Sequence, residues 1–438
     1  SAPGDTPCTR RGTADGATRP RRRAAGSDRE SSSRADEYTR NFLQDEALPT
    51  IWQELAFHRR FLPAITLSEV NALAADWFPE DNRLVVVSGP EQVGVALPGA
   101  RELAAVMTAA AAKTLERYED TGAGQTLMDR LPAKGTIVKT TLRPEAGITE
   151  WVLSNGSTVV LRPTTVKADQ ILFRAMAPGG TSLASDENFI AARAADDLIA
   201  AGGVGPFSAA TLDKVLAGKA AGVRPYVNEI EVGLGGGCAP PDAEAMFQLI
   251  HLRFTQPRAD AAAFTAMKQQ AQALLANQSA SPEAVFGDTL ESVLNGNNPR
   301  RQPESPATLA QWNLDTSLAF YKARFAGASQ FTFMFVGSFT PESIRPLVET
   351  YIASLPATRA HETWRNLEIA PPTGVITKTI EKGIAPKAEV AITFSGPFEY
   401  SDSNRAALRA TVLVLQSLLS DTIRQELGGT YSITASPD

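Results

Sequence analysis

Few residues in this chain are of types that do chemistry, and their spacing argues against most reactions. There are three histidines, His58, His251 and His361, and none has a second His within five residues. A hydrolytic metal site puts His, Glu, Asp or Cys ligands on one face of a helix, yet neither H-E-x-x-H nor H-x-x-E-H can be written. His361-Glu362 comes nearest, but Arg365 stands where the second His would be, and the pair reads as surface linker. His251 lies in the apolar stretch MFQLIHLRF and reads as a packed, hydrogen-bonded histidine. His58 adjoins Arg59-Arg60 and reads as a helix-end charge. Gly233-Leu234-Gly235-Gly236-Gly237 would cradle a phosphate if it opened a helix. Cys238-Ala239-Pro240-Pro241 intervenes and no Lys follows, so the stretch reads as a strand end and turn. G-x-S-x-G is absent, and Cys8 and Cys238 make neither a disulfide framework nor a metal cluster. Arg424 and, seven residues on, Tyr431 remain. A guanidinium and a phenol can both donate to a carbonyl oxygen; the plainer reading is a helix-end charge and a core aromatic.

The elements that must carry such groups recur along the chain. Residues 67–78 have helical apolar spacing and precede a strand at 83–89; residues 318–325 and 331–337 repeat that order. Leu131-Pro132-Ala133 with a strand from Gly135 is echoed by Leu355-Pro356-Ala357 with a strand from Gly374. These echoes lie about 220–250 residues apart and predict duplicated domains of that size. The expected organisation is a leader at 1–34, the end of one repeat at 35–130, a complete repeat at 135–355, a linker at 356–373 and the start of a further repeat at 374–438, cut short after a strand at 430–434. In the complete repeat, 150–161 alternates apolar and polar residues around Asn155-Gly156, a hairpin signal. A strand follows at 170–176, then a helix over 187–201 closed by Gly202-Gly203, and a helix with Ser208 as N-cap. Strands within 224–234 and helices at 243–254, 261–276 and 282–294 complete it. This order, without regular βαβ alternation, predicts α+β domains, each a mostly antiparallel sheet packed on helices.

With 438 residues and 43% hydrophobic content, the chain is long enough for two or more cores. Its formal net charge is −6, and residues 1–28 carry six Arg against three Asp, so the body is the more acidic. The basic opening around Arg19-Pro20-Arg21-Arg22-Arg23 has no aromatics and reads as a disordered or added leader. Nucleic acid is therefore not expected as a partner. The apolar stretch 103–112 is too short to span a bilayer, and no transmembrane helix is expected.

The hairpin with Asn155-Gly156, the strand before Gly179-Gly180-Thr181-Ser182 and the helix closed by Gly202-Gly203 resemble the opening of a repeat domain in pitrilysin/insulinase-type zinc peptidases. In that family the first repeat carries H-x-x-E-H on this helix; here it reads Ala191-Ala192-Arg193-Ala194-Ala195-Asp196-Asp197-Leu198, without His. The resemblance implies a later, metal-free repeat, inactive alone, with zinc in a catalytic half upstream or on a partner chain. Ile423-Arg424-Gln425-Glu426-Leu427-Gly428-Gly429-Thr430-Tyr431 is similar to the family's later-half motif. There an Arg and a Tyr reach across to the catalytic half, which implies Arg424 and Tyr431 as peptide-binding residues that help hold an oxyanion. The resemblance implies a substrate-binding portion of a metalloendopeptidase, with a peptide as substrate. Bacterial relatives of this layout favour a periplasmic location. The alternative is a core-type scaffold subunit of the same superfamily, which has no reason to keep both Arg424 and Tyr431.

Overall fold

The computed structural model of the chain describes residues 31–77, 82–89, 94, 96–114, 124–358, 361–384 and 386–437. The basic opening and Cys8 lie outside the described residues. Among the described residues four helices come first: α1 (Ser31–Gln44), α2 (Ile51–Phe61), α3 (Leu67–Trp77) and α4 (Ala100–Ala111). Helix α2 starts at Thr50, whose hydroxyl accepts from the Gln53 backbone N–H while the Gln53 side chain accepts from Thr50. The strand expected at 83–89 is not formed, and Leu84 and Val86 are exposed. A strand needs a neighbour to satisfy its backbone, and this segment has none among the described residues.

Strands β1 (Ile137–Arg143), β2 (Ile148–Leu153), β3 (Thr158–Pro163) and β4 (Ile171–Pro178) follow. Next come α5 (Phe189–Arg193), α6 (Ala195–Ala201), α7 (Ala209–Val215), β5 (Ala221–Val227), β6 (Glu231–Cys238), α8 (Ala243–Thr255), α9 (Ala261–Gln278) and α10 (Pro282–Leu294). The domain closes with α11 (Pro306–Ala310), α12 (Leu314–Arg324), β7 (Thr332–Gly337) and α13 (Pro341–Leu347). One seven-stranded sheet has the order β1-β2-β3-β7-β4-β6-β5. Every neighbouring pair is antiparallel except β3 and β7, whose parallel pairing is closed by a long crossover that takes in β4, β5, β6 and the helices between them. The α+β expectation holds. The Gly-rich stretch belongs to β6 itself, which runs on to Cys238, so the strand end read near Gly233 lies five residues later.

Alternation decides which face of the sheet is covered. In β4, Ile171, Phe173, Ala175 and Ala177 are buried while Leu172 and Arg174 are exposed. Helix α8 packs on the buried face, with Phe247 stacked on Phe335 at a ring separation of 4.9 Å. Phe254, Phe325, Phe331 and Tyr321 extend this aromatic core, Tyr321 lying 4.3 Å from Phe325. The other face carries no packed layer among the described residues: Leu172, Arg174, Arg162 and Val336 are all exposed.

The single helix expected over 187–201 is broken at Ala194. Ser317 on α12, fully buried, donates to the Ala191 carbonyl at 2.7 Å and so takes the acceptor that Ala195 would use to continue the helix. The break lets α12 approach α5 and α6 along Ala191, Ala192 and Ala195, all buried. Helix α6 then stops at Gly202-Gly203; Gly203 has φ +93°, and a Cβ there would come within 2.1 Å of the Phe207 carbonyl oxygen.

Beyond 358 the chain is docked before it becomes extended. Glu362 pairs with Arg324, its backbone exchanges bonds with the Gln330 side chain, and Arg365 donates to the Ser182 and Ala184 carbonyls. The strand expected from Gly374 does not form, for the same lack of a neighbour as at 83–89, and Val375, Val390, Ile392 and Phe394 are exposed. A final helix, α14 (Asp402–Leu419), continues into a π-helical turn at Ser420–Glu426. By length and composition the stretch Asp402–Glu426 is long and apolar enough to cross a membrane, whereas no transmembrane helix was expected from the sequence. The same composition suits a helix with one apolar side for a sheet.

Candidate functional site

Arg424 sits in the π-helical turn and is exposed. Gly428, at φ +60°, then turns the chain back: Leu427 N–H bonds to the Thr422 carbonyl and Gly429 N–H to that of Ile423. Only a residue without Cβ takes this left-handed position at no steric cost. The reversal carries Tyr431 back alongside the helix, and the Arg424 guanidinium lies over its ring, 5.3 Å from the centroid. Gln416 on α14 holds the returning segment, donating to the Ile433 carbonyl at 2.7 Å and accepting from Ala435 N–H. These bonds replace the strand expected at 430–434, which is not formed. Tyr431 is 87% exposed, not a core aromatic. Among the described residues neither its hydroxyl nor the guanidinium has a hydrogen-bond partner in the fold, so both donors are free for a ligand. The structure thus brings the two sequence-selected residues together.

The helix that resembles the zinc-binding one does not fit a metal. Asp196 is its most enclosed carboxylate; burial pushes its pKa up, and it accepts from the Val227 backbone N–H at 2.9 Å. No His stands near it on α5 or α6, and among the described residues no group of three or more His, Cys, Asp or Glu could hold an ion. His251 is buried on α8, and its Nδ1 lies 2.9 Å from the Tyr351 carbonyl, the contact of an Nδ1–H donor. Burial lowers its pKa, keeping the ring neutral. Cys238 is buried too and its thiol is pushed up to about 12, so it is no nucleophile. His361 lies at the start of the docked segment and is exposed; His58 lies in the last turn of α2, its Nδ1 2.8 Å from the Glu54 carbonyl.

Sequence reasoning missed the pinning of the turn at Gly180–Leu183. Arg300 donates to the Thr181 and Ala184 carbonyls and to Asp186, and Arg365 holds the same turn from the other side. The partners lie more than 100 residues apart, and no local pattern signals them.

This architecture is shared with solved peptidase structures. The periplasmic protease PqqL from Escherichia coli has the same fold over 96% of this chain and 47% of its own, at 18% identity and TM-score 0.62. The ferredoxin protease FusC, in complex with Arabidopsis ferredoxin, matches over 82% of this chain and 40% of its own, at 18% identity and TM-score 0.51. Residues 311–438 match the family described as the Peptidase M16 inactive domain. A zinc protease PQQL-like protein of Arabidopsis thaliana is 22% identical over 75% of this chain, and a probable zinc protease PqqL of Haemophilus influenzae 20% identical over 66%. Residues 311–438 thus carry the likeness to the M16 inactive domain, and the chain as a whole is similar to pitrilysin/insulinase-type (M16) zinc proteases. It spans about a third of the length of these two relatives, 32% and 31%.

Proposed function

We propose that this chain is the non-catalytic, substrate-binding portion of a pitrilysin-like zinc metalloendopeptidase. The zinc-bearing half lies on the same polypeptide or on a partner subunit. The observation that carries this reading is the pairing of Arg424 and Tyr431, exposed and free as donors, within the stretch that matches the inactive domain. The ring face holds the guanidinium in place, and the hydroxyl stays available at the ring's edge. Two such donors can receive a peptide carbonyl and bind it more strongly as charge develops on its oxygen. A pure scaffold gains nothing from two unpartnered donors on its surface. The periplasm is the proposed compartment, in line with the periplasmic protease of like fold.

The test joins this chain to its zinc-bearing half and measures peptide turnover. Tyr431→Phe removes only a hydroxyl and leaves the fold intact; it is expected to lower kcat by about a hundredfold to a thousandfold, as removing one oxyanion donor does. Unchanged kcat with an unchanged melt would turn the assignment to the scaffold alternative.

A further inference from the structure

The uncovered face of the sheet has a composition of its own, and we infer that it is a docking surface for an extended acidic polypeptide with apolar side chains. The strand register places five cations on this face: Lys139 and Arg143 on β1, Arg162 on β3, Arg174 on β4 and Arg224 on β5. Against them stand two carboxylates, Glu150 and Glu231, so the face is net +3 in a chain of net −6. Both carboxylates are already engaged, Glu150 with Arg143 at 3.2 Å and Glu231 with Arg174 at 2.6 Å. Lys139, Arg162 and Arg224 form no ion pair among the described residues and are exposed on the two edge strands and one between them. Between the cations run Ile148, Val160, Met334, Val336 and Leu172, an apolar row that an ordinary solvated face would not carry.

Strand β6 contributes to this face only Gly233, Gly235 and Gly237 beyond Glu231. Gly235 faces open space, with no atom within 4 Å of an added Cβ. The Tyr226 ring lies over Gly233, so Gly235 is the opening between Arg174 and Arg224 at which a polypeptide backbone can approach the sheet closely. Seven strands span roughly 29 Å, the reach of about nine extended residues. Among the described residues Tyr226 is the only aromatic on the face, and Arg174 covers it at 5.2 Å, which leaves no platform there for stacking nucleic-acid bases.

This inference deepens the function proposed above, since the acidic segment would belong to the substrate. Binding to this chain alone tests the surface and turnover by the joined enzyme tests Arg424 and Tyr431, so either can fail without the other. The probe is a fluorescent 12-residue peptide alternating Glu and Leu, compared by anisotropy with its Lys-Leu counterpart. The acidic peptide is expected to bind, and more weakly as salt rises. Arg162→Glu with Arg224→Glu should weaken it about tenfold or more, whereas Lys322→Glu, on the exposed side of α12, should leave it unchanged. Gly235→Val fills that opening without a charge change, its Cβ meeting no atom within 4 Å, and should weaken binding as well; it covers the case in which the double charge reversal fails to fold. Equal binding of both peptides, equal loss in Lys322→Glu, or indifference to Gly235→Val overturns the inference. So does a preference for an oligonucleotide or anionic vesicles over the peptide, or a dimer of this chain that masks the face.

Discussion

Arg424 and Tyr431 act on the same carbonyl oxygen in the proposed site, and that makes a joint prediction. Arg424→Ala also strips an aliphatic stem from the turn and needs a thermal-melt control. With both donors on one oxygen, the double variant is expected to lose less kcat than the two single losses combined; full additivity in a double-mutant cycle would separate their roles. His251 makes a different prediction. Its folded pKa lies below the ordinary value of about 6.5 because burial disfavours the imidazolium. On acidification the unfolded chain binds the proton first. The stability that the neutral ring confers is therefore complete above about pH 6.5 and is lost as pH falls toward the folded value. His251→Asn keeps a donor for the Tyr351 carbonyl without a titrating ring. Denaturant midpoints at about pH 7.5 and 5 should differ less in this variant than in the parent; an equal difference would place the acid sensitivity elsewhere.

The β2–β3 hairpin is held in place by its turn as much as by its ladder. The Asn155 amide donates to the Ile352 and Leu355 carbonyls, at 2.8 and 3.2 Å, and its oxygen accepts from the Ser157 hydroxyl and N–H. A turn residue thus ties the hairpin to the end of the domain almost 200 positions later, where β7 and its following helix return to the sheet. Asn155→Ala leaves buried carbonyls unpaired and is expected to cost roughly 2–4 kcal/mol. Urea melts monitored by Trp151 fluorescence would measure it, and a loss below about 0.5 kcal/mol, the size of an ordinary surface substitution, would show that water replaces the side chain. The break between α5 and α6 follows the same logic: a side chain on a distant helix claims a backbone carbonyl that local propensity assigns to the helix.

Across the molecule, burial is uneven. The core from Leu127 to Leu355 is contiguous, while the segments on either side expose apolar side chains such as Trp52, Trp77, Phe394 and Leu418. Exposed apolar surface on that scale marks surfaces that other structure covers, in keeping with the zinc-bearing half proposed as partner. The proposed boundaries at 135 and 355 also make a kinetic prediction. Limited proteolysis should leave a fragment near 135–355 after residues 374–437 have been cut, because local opening there exposes backbone that no ladder protects. Early cleavage within α8 or β6 would contradict those boundaries.

Local and periodic features were legible in the sequence: the alternation around Asn155-Gly156, the N-cap at Ser208 and the helices of 243–294. Each depends on contacts within a few residues, so the residue order is enough to determine them. The pair Arg424 and Tyr431 was legible as a motif, and Gly428, which brings them together, stands between them. The tertiary structure decided what depends on distant partners. Residues 83–89 and 374–379 have strand character, but a strand exists only beside another strand, and neither segment has one among the described residues. The parallel pairing of β3 with β7, the capture of the Gly180–Leu183 turn by Arg300 and Arg365, and the gathering of five cations on the uncovered face all join residues from separate strands and loops. No local pattern encodes such neighbours; the register of the folded sheet creates them.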